Sequence, residues 1–212
     1  MDDLNKFHPE DQVVVVDSDS NDKSYMDIIK HPNLEIHDIQ NKYWHPGAWW
    51  HGVLNTSEVD HYAFMHDSMR IKNNISYIYE NPLTFLMYFH IHVNSSFSEW
   101  GKIMCAQNNK PFDPKYGCWG PILFLNKDII ESLYTLGVHR FLPKNKPETG
   151  HCEGLYGTAA EIMGFCPREI SLYGNVLEEE GPNGRSGLPP HRTEWMFPFE
   201  KFYSYSHTSD RL

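Results

Sequence analysis

The chain has 212 residues, of which 40% are hydrophobic and 22% charged, a composition typical of globular proteins and unlike that of disordered chains. Eighteen Lys and Arg residues against 28 Asp and Glu residues give a net charge of −10. This balance argues against a basic face that would bind nucleic acid or an anionic membrane, so we expect no nucleic-acid partner. The sequence has no apolar run of the ~18 residues that a bilayer requires, so we also expect no membrane span.

The cysteines indicate a reducing compartment. The four cysteines are scattered along the chain without the C-x-x-C spacing of zinc ribbons and thioredoxin-like redox sites. We therefore expect mostly reduced thiols. Residues 1–11 are polar and acidic, unlike a secretory leader. Together these features predict a cytoplasmic protein.

The first part of the chain predicts the opening of an α/β sheet. The run at 12–16 contains four consecutive valines, which is typical of a strand buried on both faces in a parallel sheet. It ends at an Asp- and Ser-rich turn that also caps a predicted helix over 25–30. A second strand is predicted over 34–36. We therefore expect a single α/β domain with a central mixed, mostly parallel sheet flanked by helices.

Shorter elements are predicted along the rest of the chain. Gly137 and Gly164 provide stop signals for two helices. The Gly- and Pro-rich segment 178–190 predicts a surface loop. The other predicted elements are a short helix after the loop at 42–46, strands over 61–65, 85–91 and 121–125, and helices over 127–136 and 153–163.

Acidic and hydroxyl residues directly follow two of the predicted strands. The run Asp-Ser-Asp stands at 17–19 and the run His-Asp-Ser at 66–68. In an open α/β sheet the carboxyl ends of strands converge on one crevice, where a nucleotide or metal binds. Carboxylate and hydroxyl oxygens suit Mg²⁺ or Mn²⁺, which can bridge a carboxylate to a diphosphate. The competing interpretation is that these residues only form turns and helix caps.

Several catalytic motifs are missing from the sequence. It has no G-x-x-x-x-G-K-[ST] phosphate loop and no G-x-G-x-x-G dinucleotide fingerprint, which weakens kinase, GTPase and dehydrogenase interpretations. It also lacks the G-x-S-x-G nucleophile elbow of α/β-hydrolases.

The order of the remaining features resembles that of a GT-A glycosyltransferase across nearly the whole chain. The matching segments are the strand and Asp/Ser turn at 13–20, a G-A-x-x-x-G stretch at 47–52, a D-x-D-like metal motif at 64–69, a Gly-rich turn and strand at 117–124, and an acidic helix start at 151–154. More narrowly, the chain is similar to the N-terminal glycosyltransferase domains of multidomain chlorella virus proteins that build capsid glycans. The resemblance implies a GT-A-like domain with a nucleotide-binding half at 1–94 and an acceptor-side half with a C-terminal tail at 95–212.

The resemblance also implies roles for individual residues. Asp67 would bind the metal and take part in catalysis, and Glu153 would be the base that removes a proton from the acceptor hydroxyl. His191 and His207 would complete the metal site. The residues implied to contact the UDP-sugar are Asp17, Ser18, Asp19, Gly47, Trp50, His66, Ser68, Lys127 and Arg192.

The activity implied by the resemblance is transfer of a hexose of the glucose or rhamnose type from a UDP-sugar to a glycan or glycoprotein acceptor. The metal would be Mn²⁺ or Mg²⁺. In a virus this reaction would belong to capsid glycan synthesis in the host cytoplasm, and the chain would be one module of a longer polypeptide.

Two alternatives remain open from the residues. His90 and His92 stand two positions apart on a predicted strand, so they point to one face and could bind zinc with Asp67 in a hydrolase. A carbohydrate-binding module would instead stack sugar rings on tryptophans. The candidates for that role are Trp44, Trp49, Trp50 and Trp119.

Overall fold

The computed structural model describes residues 1–40, 43–66, 69–175 and 198–201. These residues form six α-helices and nine β-strands. The helices are α1 (Asp2–Phe7), α2 (Tyr25–Ile28), α3 (Trp44–Asn55), α4 (Glu99–Gln107), α5 (Lys127–Thr135) and α6 (Thr149–Ile162). The strands are β1 (Val13–Ser18), β2 (Leu34–Ile39), β3 (His61–Phe64), β4 (Met69–Ile71), β5 (Leu83–Phe85), β6 (Tyr88–His90), β7 (Tyr116–Cys118), β8 (Leu123–Asn126) and β9 (Phe199–Lys201).

The N-terminal unit is a parallel strand pair covered by a helix. β1 and β2 pair in parallel with Val13 opposite Leu34, and α2 lies in the connection between them. α3 packs on β1 through Gly52, where a Cβ atom would meet the side chains of Val14 and Val16 at 3.8 Å. This unit agrees with the predicted strand, helix, strand order, although both strands end later than predicted.

A three-stranded antiparallel sheet forms the centre of the fold. β8 lies between β3 and β5 and pairs antiparallel with both. Leu123 and Leu125 belong to one hydrophobic cluster, while Ile122 and Phe124 belong to a second. Side chains alternate across a strand, so the two clusters cover opposite faces of the sheet. Ile122, which precedes β8, and the first three side chains of β8 all have 0% exposure, so this segment lies deep in the core.

The strand pairing differs from the mostly parallel sheet that the sequence predicts. Of the five strand pairs in the described residues, β1–β2 is parallel and the other four, which include β4–β9 and β6–β7, are antiparallel. The prediction is wrong on strand direction for these strands, whereas the mixed α/β class and the single domain are confirmed. The valine run was also predicted to be buried on both faces, but Val13–Val16 are only partly buried, because β1 belongs to a two-stranded sheet. An apolar run predicts a strand without showing the direction of its neighbour.

The predicted strand over 85–91 divides into two strands with different partners. β5 pairs with β8, and β6 pairs with β7. At the break the Leu86 amide donates to the Ile122 carbonyl at 3.1 Å. The central sheet also joins the two predicted halves, since β8 lies in 95–212 and its partners β3 and β5 lie in 1–94.

The helices agree more closely with the prediction. α5 forms where expected, whereas α6 begins at Thr149, so Glu153 lies in its second turn and not at the helix start as predicted. Each helix is followed by a glycine with positive φ, Gly137 at 80° and Gly164 at 89°. α3 begins at Trp44, before Pro46, while α1 and α4 were not predicted. None of the described helices is both long and apolar enough to cross a bilayer. The predicted loop at 178–190 lies outside the described residues.

Candidate functional site

His66 and Glu153, two residues predicted for the site, meet at Gly120. The Gly120 amide donates a hydrogen bond to Oε1 of Glu153 at 3.1 Å, and His66 Nε2 donates to the Gly120 carbonyl at 2.6 Å. Gly120 has a φ of +60°, in the left-handed region that favours glycine. This turn therefore connects α6 to the residue that follows β3.

Glu153 is a partly buried carboxyl group on α6. Burial raises its pKa from 4.5 to about 7, although the hydrogen bond from Gly120 acts in the opposite direction. A carboxyl group with a pKa near neutrality can accept and release a proton at physiological pH, as a general base requires. Burial and the charge of Glu153 also raise the pKa of the Cys118 and Cys152 thiols, so both stay protonated and unreactive.

Aromatic rings fix the position of His66. Its ring centroid lies 4.6 Å from that of His45 and 5.6 Å from that of Trp49. Trp49 in turn donates from Nε1 to the Met65 carbonyl at 3.2 Å. Because Nε2 of His66 donates to Gly120, metal coordination by this histidine would have to use Nδ1.

Asp17 uses its carboxylate within its own turn. It is 2% exposed, and it accepts hydrogen bonds from the Ser20 amide at 2.9 Å and the Tyr25 hydroxyl at 2.5 Å. Burial on its own would raise the pKa of Asp17, but these hydrogen bonds outweigh it and lower the pKa to about 2. Asp17 therefore stabilises the turn, as the competing interpretation predicts, and its carboxylate is not turned toward a ligand. Ser18 and Asp19 are exposed at the strand end.

α3 packs against both β1 and His66. Only residues 40–43 separate β2 from α3, so the carboxyl ends of β1 and β2 lie beside the start of this helix. His45 and Trp49, in the first turns of α3, are the residues that contact His66. α3 is therefore the element that both sides share: Gly52 packs on β1, and His45 and Trp49 contact His66. Asp67 and Ser68 themselves lie outside the described residues.

Lys127 lies at the other end of β3. Its amide donates to the Asp60 carbonyl at 2.9 Å, just before β3 begins, whereas His66 follows the end of that strand. Its ammonium group forms an ion pair with Glu58 at 2.6 Å, which raises the pKa of Lys127. This placement argues against the predicted contact between Lys127 and a diphosphate.

The tryptophans do not form a common exposed platform. Trp50 is 3% exposed and belongs to the core, and Gly47 beside it on α3 is also buried, which argues against a nucleotide contact for either residue. Trp44 is 36% exposed, whereas Trp49 and Trp119 are partly buried. A glycan-binding surface built from all four rings would require them to be exposed on one face.

The three predicted metal ligands Asp67, His191 and His207 lie outside the described residues. Within the described ranges, no group of three or more His, Cys, Asp or Glu side chains is arranged to hold a metal ion. His90 and His92 are both exposed, and His90 contacts the Tyr116 ring with centroids 5.0 Å apart. The zinc alternative also needs Asp67. The predicted residues outside the described part of the chain are Asp67, Ser68, His191, Arg192 and His207.

Gly120 is the site residue whose role the sequence did not predict. The Gly-rich turn at 117–120 marked the region, but its two hydrogen bonds join residues 54 and 33 positions away. The candidate site is therefore the arrangement of His66, Gly120 and Glu153. No protein-family model, no curated protein and no solved structure matches this chain.

Proposed function

We propose that the protein is a metal-dependent glycosyltransferase that moves a hexose of the glucose or rhamnose type from a UDP-sugar to a glycan or glycoprotein acceptor. The observation that supports this proposal is Glu153, a carboxyl group with a pKa of about 7 that shares Gly120 with His66. A base of matched pKa thus stands close in space to the D-x-D-like segment, although the two are far apart in sequence.

Glu153 would act as the base in an inverting displacement. The acceptor hydroxyl oxygen attacks the anomeric carbon, the bond from that carbon to the diphosphate breaks, and the electron pair leaves with UDP. Glu153 takes the hydroxyl proton. Because its pKa is about 7, Glu153 can take up this proton near neutral pH.

The donor side would use the two polar strand ends. Asp67 would hold Mn²⁺ or Mg²⁺, with His191 and His207 as further ligands and His66 able to contribute through Nδ1. Ser68 would contact the UDP-sugar. The ion would neutralise the negative charge that develops on the departing diphosphate. Arg192 would add a second positive charge. The exposed Ser18 and Asp19 would bind the ribose and base.

The setting of this activity follows from the resemblance of the sequence. We propose that the chain is one module of a longer viral polypeptide and acts in capsid glycan synthesis in the host cytoplasm. No described residue bears on that setting, so the tests below address the chemistry.

Replacing Glu153 by Gln should abolish transfer and preserve donor binding. Glutamine keeps a carbonyl oxygen that can accept from the Gly120 amide, but it cannot take a proton. We expect the transfer rate to fall by roughly 10² to 10⁴ while calorimetric UDP affinity is unchanged. Glu131→Gln, at an exposed position of α5, is the matched control and should retain full activity. If Glu153→Gln turns over at the wild-type rate, Glu153 is not the general base.

Replacing Asp67 by Ala should abolish metal-dependent UDP binding. A carboxylate that holds the ion between protein and diphosphate makes nucleotide affinity depend on Mn²⁺. Calorimetry of UDP with and without Mn²⁺ measures this dependence. Binding that persists in the variant would exclude Asp67 from the site. Stoichiometric zinc retained without nucleotide would favour the hydrolase with His90 and His92 instead.

A further inference from the structure

A cavity of about 350 Å³ opens beside α6, away from Glu153. His151 lines it and contacts Trp100, whereas Glu153 contacts Gly120. The two α6 side chains are two residues apart, so they point about 200° apart around the helix axis. The cavity is therefore separate from the candidate catalytic site.

One wall of the cavity is aromatic. Trp100 and Phe141 are both partly buried, with ring centroids 5.7 Å apart and planes at 44°. The His151 ring meets Trp100 at 5.4 Å. Its Nδ1 atom is buried and has no hydrogen-bond partner among the described residues. An aromatic face edged by polar side chains suits a ligand that has both an apolar face and hydroxyl groups, as a pyranose ring does.

Two cations line the same cavity. Arg140 and Lys144 are exposed, and neither forms an ion pair with a described acidic side chain. Glu148 also lines the cavity, but its carboxylate accepts from the Lys144 amide and the Asn145 side chain, both at 2.7 Å. Glu99 adds a further hydrogen-bond acceptor to the lining. Guanidinium and ammonium groups that lack a protein partner are suited to bind a carboxylate or phosphate.

From this combination we propose that the cavity binds an acidic sugar, a pyranose that carries a carboxylate or a phosphate. The ring lies on Trp100, the anionic group pairs with Arg140 and Lys144, and a hydroxyl group donates to Glu99. The apolar face of the sugar ring packs on the aromatic wall, and the carboxylate or phosphate pairs with the two cations. This inference goes beyond the proposed transferase activity and does not depend on it.

The test is a calorimetric titration of the full chain without nucleotide or metal. Glucuronate and glucose 6-phosphate are the two anionic probes, and glucose and inorganic phosphate are the controls. We expect at least one acidic sugar to bind about tenfold or more tightly than either control. The acidic sugar that binds more tightly shows whether the site prefers a carboxylate or a phosphate. The proposal is overturned if neither acidic sugar binds, if glucose binds as well, or if phosphate alone binds as well.

Substitution of Arg140 and Lys144 tests whether the acidic sugar binds in this cavity. The double variant Arg140→Gln, Lys144→Gln changes only exposed side chains. It should lower the affinity for the acidic sugar by about tenfold or more. Lys146→Gln, also exposed but outside the lining, is the matched control and should bind as the wild type does. Wild-type affinity in the double variant would place the ligand elsewhere and reject the site. UDP binding with Mn²⁺, measured in parallel, reports on the proposed function alone, so the two proposals fail independently.

Discussion

Two carboxyl groups, Asp17 and Glu153, illustrate how surroundings decide the chemistry of a residue. Burial tends to raise the pKa of both. Asp17 receives hydrogen bonds from Ser20 and Tyr25, and its pKa falls to about 2, whereas Glu153 receives one from Gly120 and its pKa rises to about 7. Asp17 is therefore charged at every physiological pH and stabilises its turn. Glu153 can exchange a proton.

Ionisation of Glu153 should destabilise the folded protein. Its pKa is about 7 in the folded state against an ordinary value of 4.5, so the folded chain binds more protons than the unfolded chain between these pH values. The stability that the neutral carboxyl group provides is complete below pH 4.5 and is lost as the pH rises through about 7. Its full size is about 1–3 kcal/mol.

Glu153→Gln tests this expectation because the amide stays neutral. Relative to the wild type, the variant should gain about 1–3 kcal/mol of unfolding free energy between about pH 5 and pH 8. Urea unfolding at the two pH values measures the difference. The exposed Glu131→Gln should show no such change. A gap between wild type and Glu153→Gln that is the same at both pH values would contradict the raised pKa.

Among the elements, α6 is the one that positions the site, and glycine lets it approach its neighbours. A Cβ atom on Gly154 would lie 1.7 Å from the Phe97 carbonyl oxygen, and one on Gly157 would lie 2.1 Å from the Tyr116 carbonyl oxygen. Both contacts are to backbone, which cannot rotate away as a side chain can. These glycines bring α6 against the segment before α4 and against β7, and β7 leads into the turn at Gly120.

Replacing Gly154 by Ala should therefore lower stability, and Gly52 provides the matched control. Ala at 154 forces α6 away from Phe97, which should cost about 1–3 kcal/mol or more. Gly52 is also helical, but its added Cβ would make ordinary contacts at 3.8 Å. Ala there should stabilise the helix by about 0.5–1 kcal/mol. Urea unfolding measures the change in unfolding free energy, which should be negative for Gly154→Ala and positive for Gly52→Ala. Equal changes in the two variants would contradict the close approach of α6 to Phe97.

The whole molecule is organised around the two clusters on either side of the central sheet. The first cluster joins β8 to α3, α5 and α6, including Trp50, Leu133 and Leu155. The second cluster includes Phe124 and Phe199, whose ring centroids lie 5.2 Å apart. Phe199 has 0% exposure although it stands 75 residues after Phe124 in the sequence. The short strand β9 is therefore part of the core.

Replacing Phe199 by Ala should destabilise the whole domain. The change removes a large buried ring from the second cluster and leaves a cavity beside Phe124, which should cost about 3–5 kcal/mol. Tyr77, which is 51% exposed, is the control, and Tyr77→Ala should cost much less. Thermal and urea unfolding measure the difference. A loss for Phe199→Ala no larger than that for Tyr77→Ala would mean that β9 does not close the core.

The site could be predicted in part. His66 and Glu153 were predicted because each follows a recognisable local pattern, a strand end and a helix start. Their shared contact with Gly120 was not predictable, because it joins three distant segments through hydrogen bonds from two side chains to the Gly120 backbone. The location of Lys127 was missed for the same reason, since the pairing of β3 with β8 decides which end of the strand it occupies.

The sequence by itself determined the local elements. The valine run predicts β1, and Asn126 caps α5 by accepting from the Ile129 amide, while Gly137 follows the end of that helix. The tertiary structure alone decided the antiparallel pairing of most strands, the use of the Asp17 carboxylate within its turn, and the raised pKa of Glu153. Caps and stops depend on residues a few positions apart, whereas strand partners and pKa values depend on burial and hydrogen bonds between distant segments.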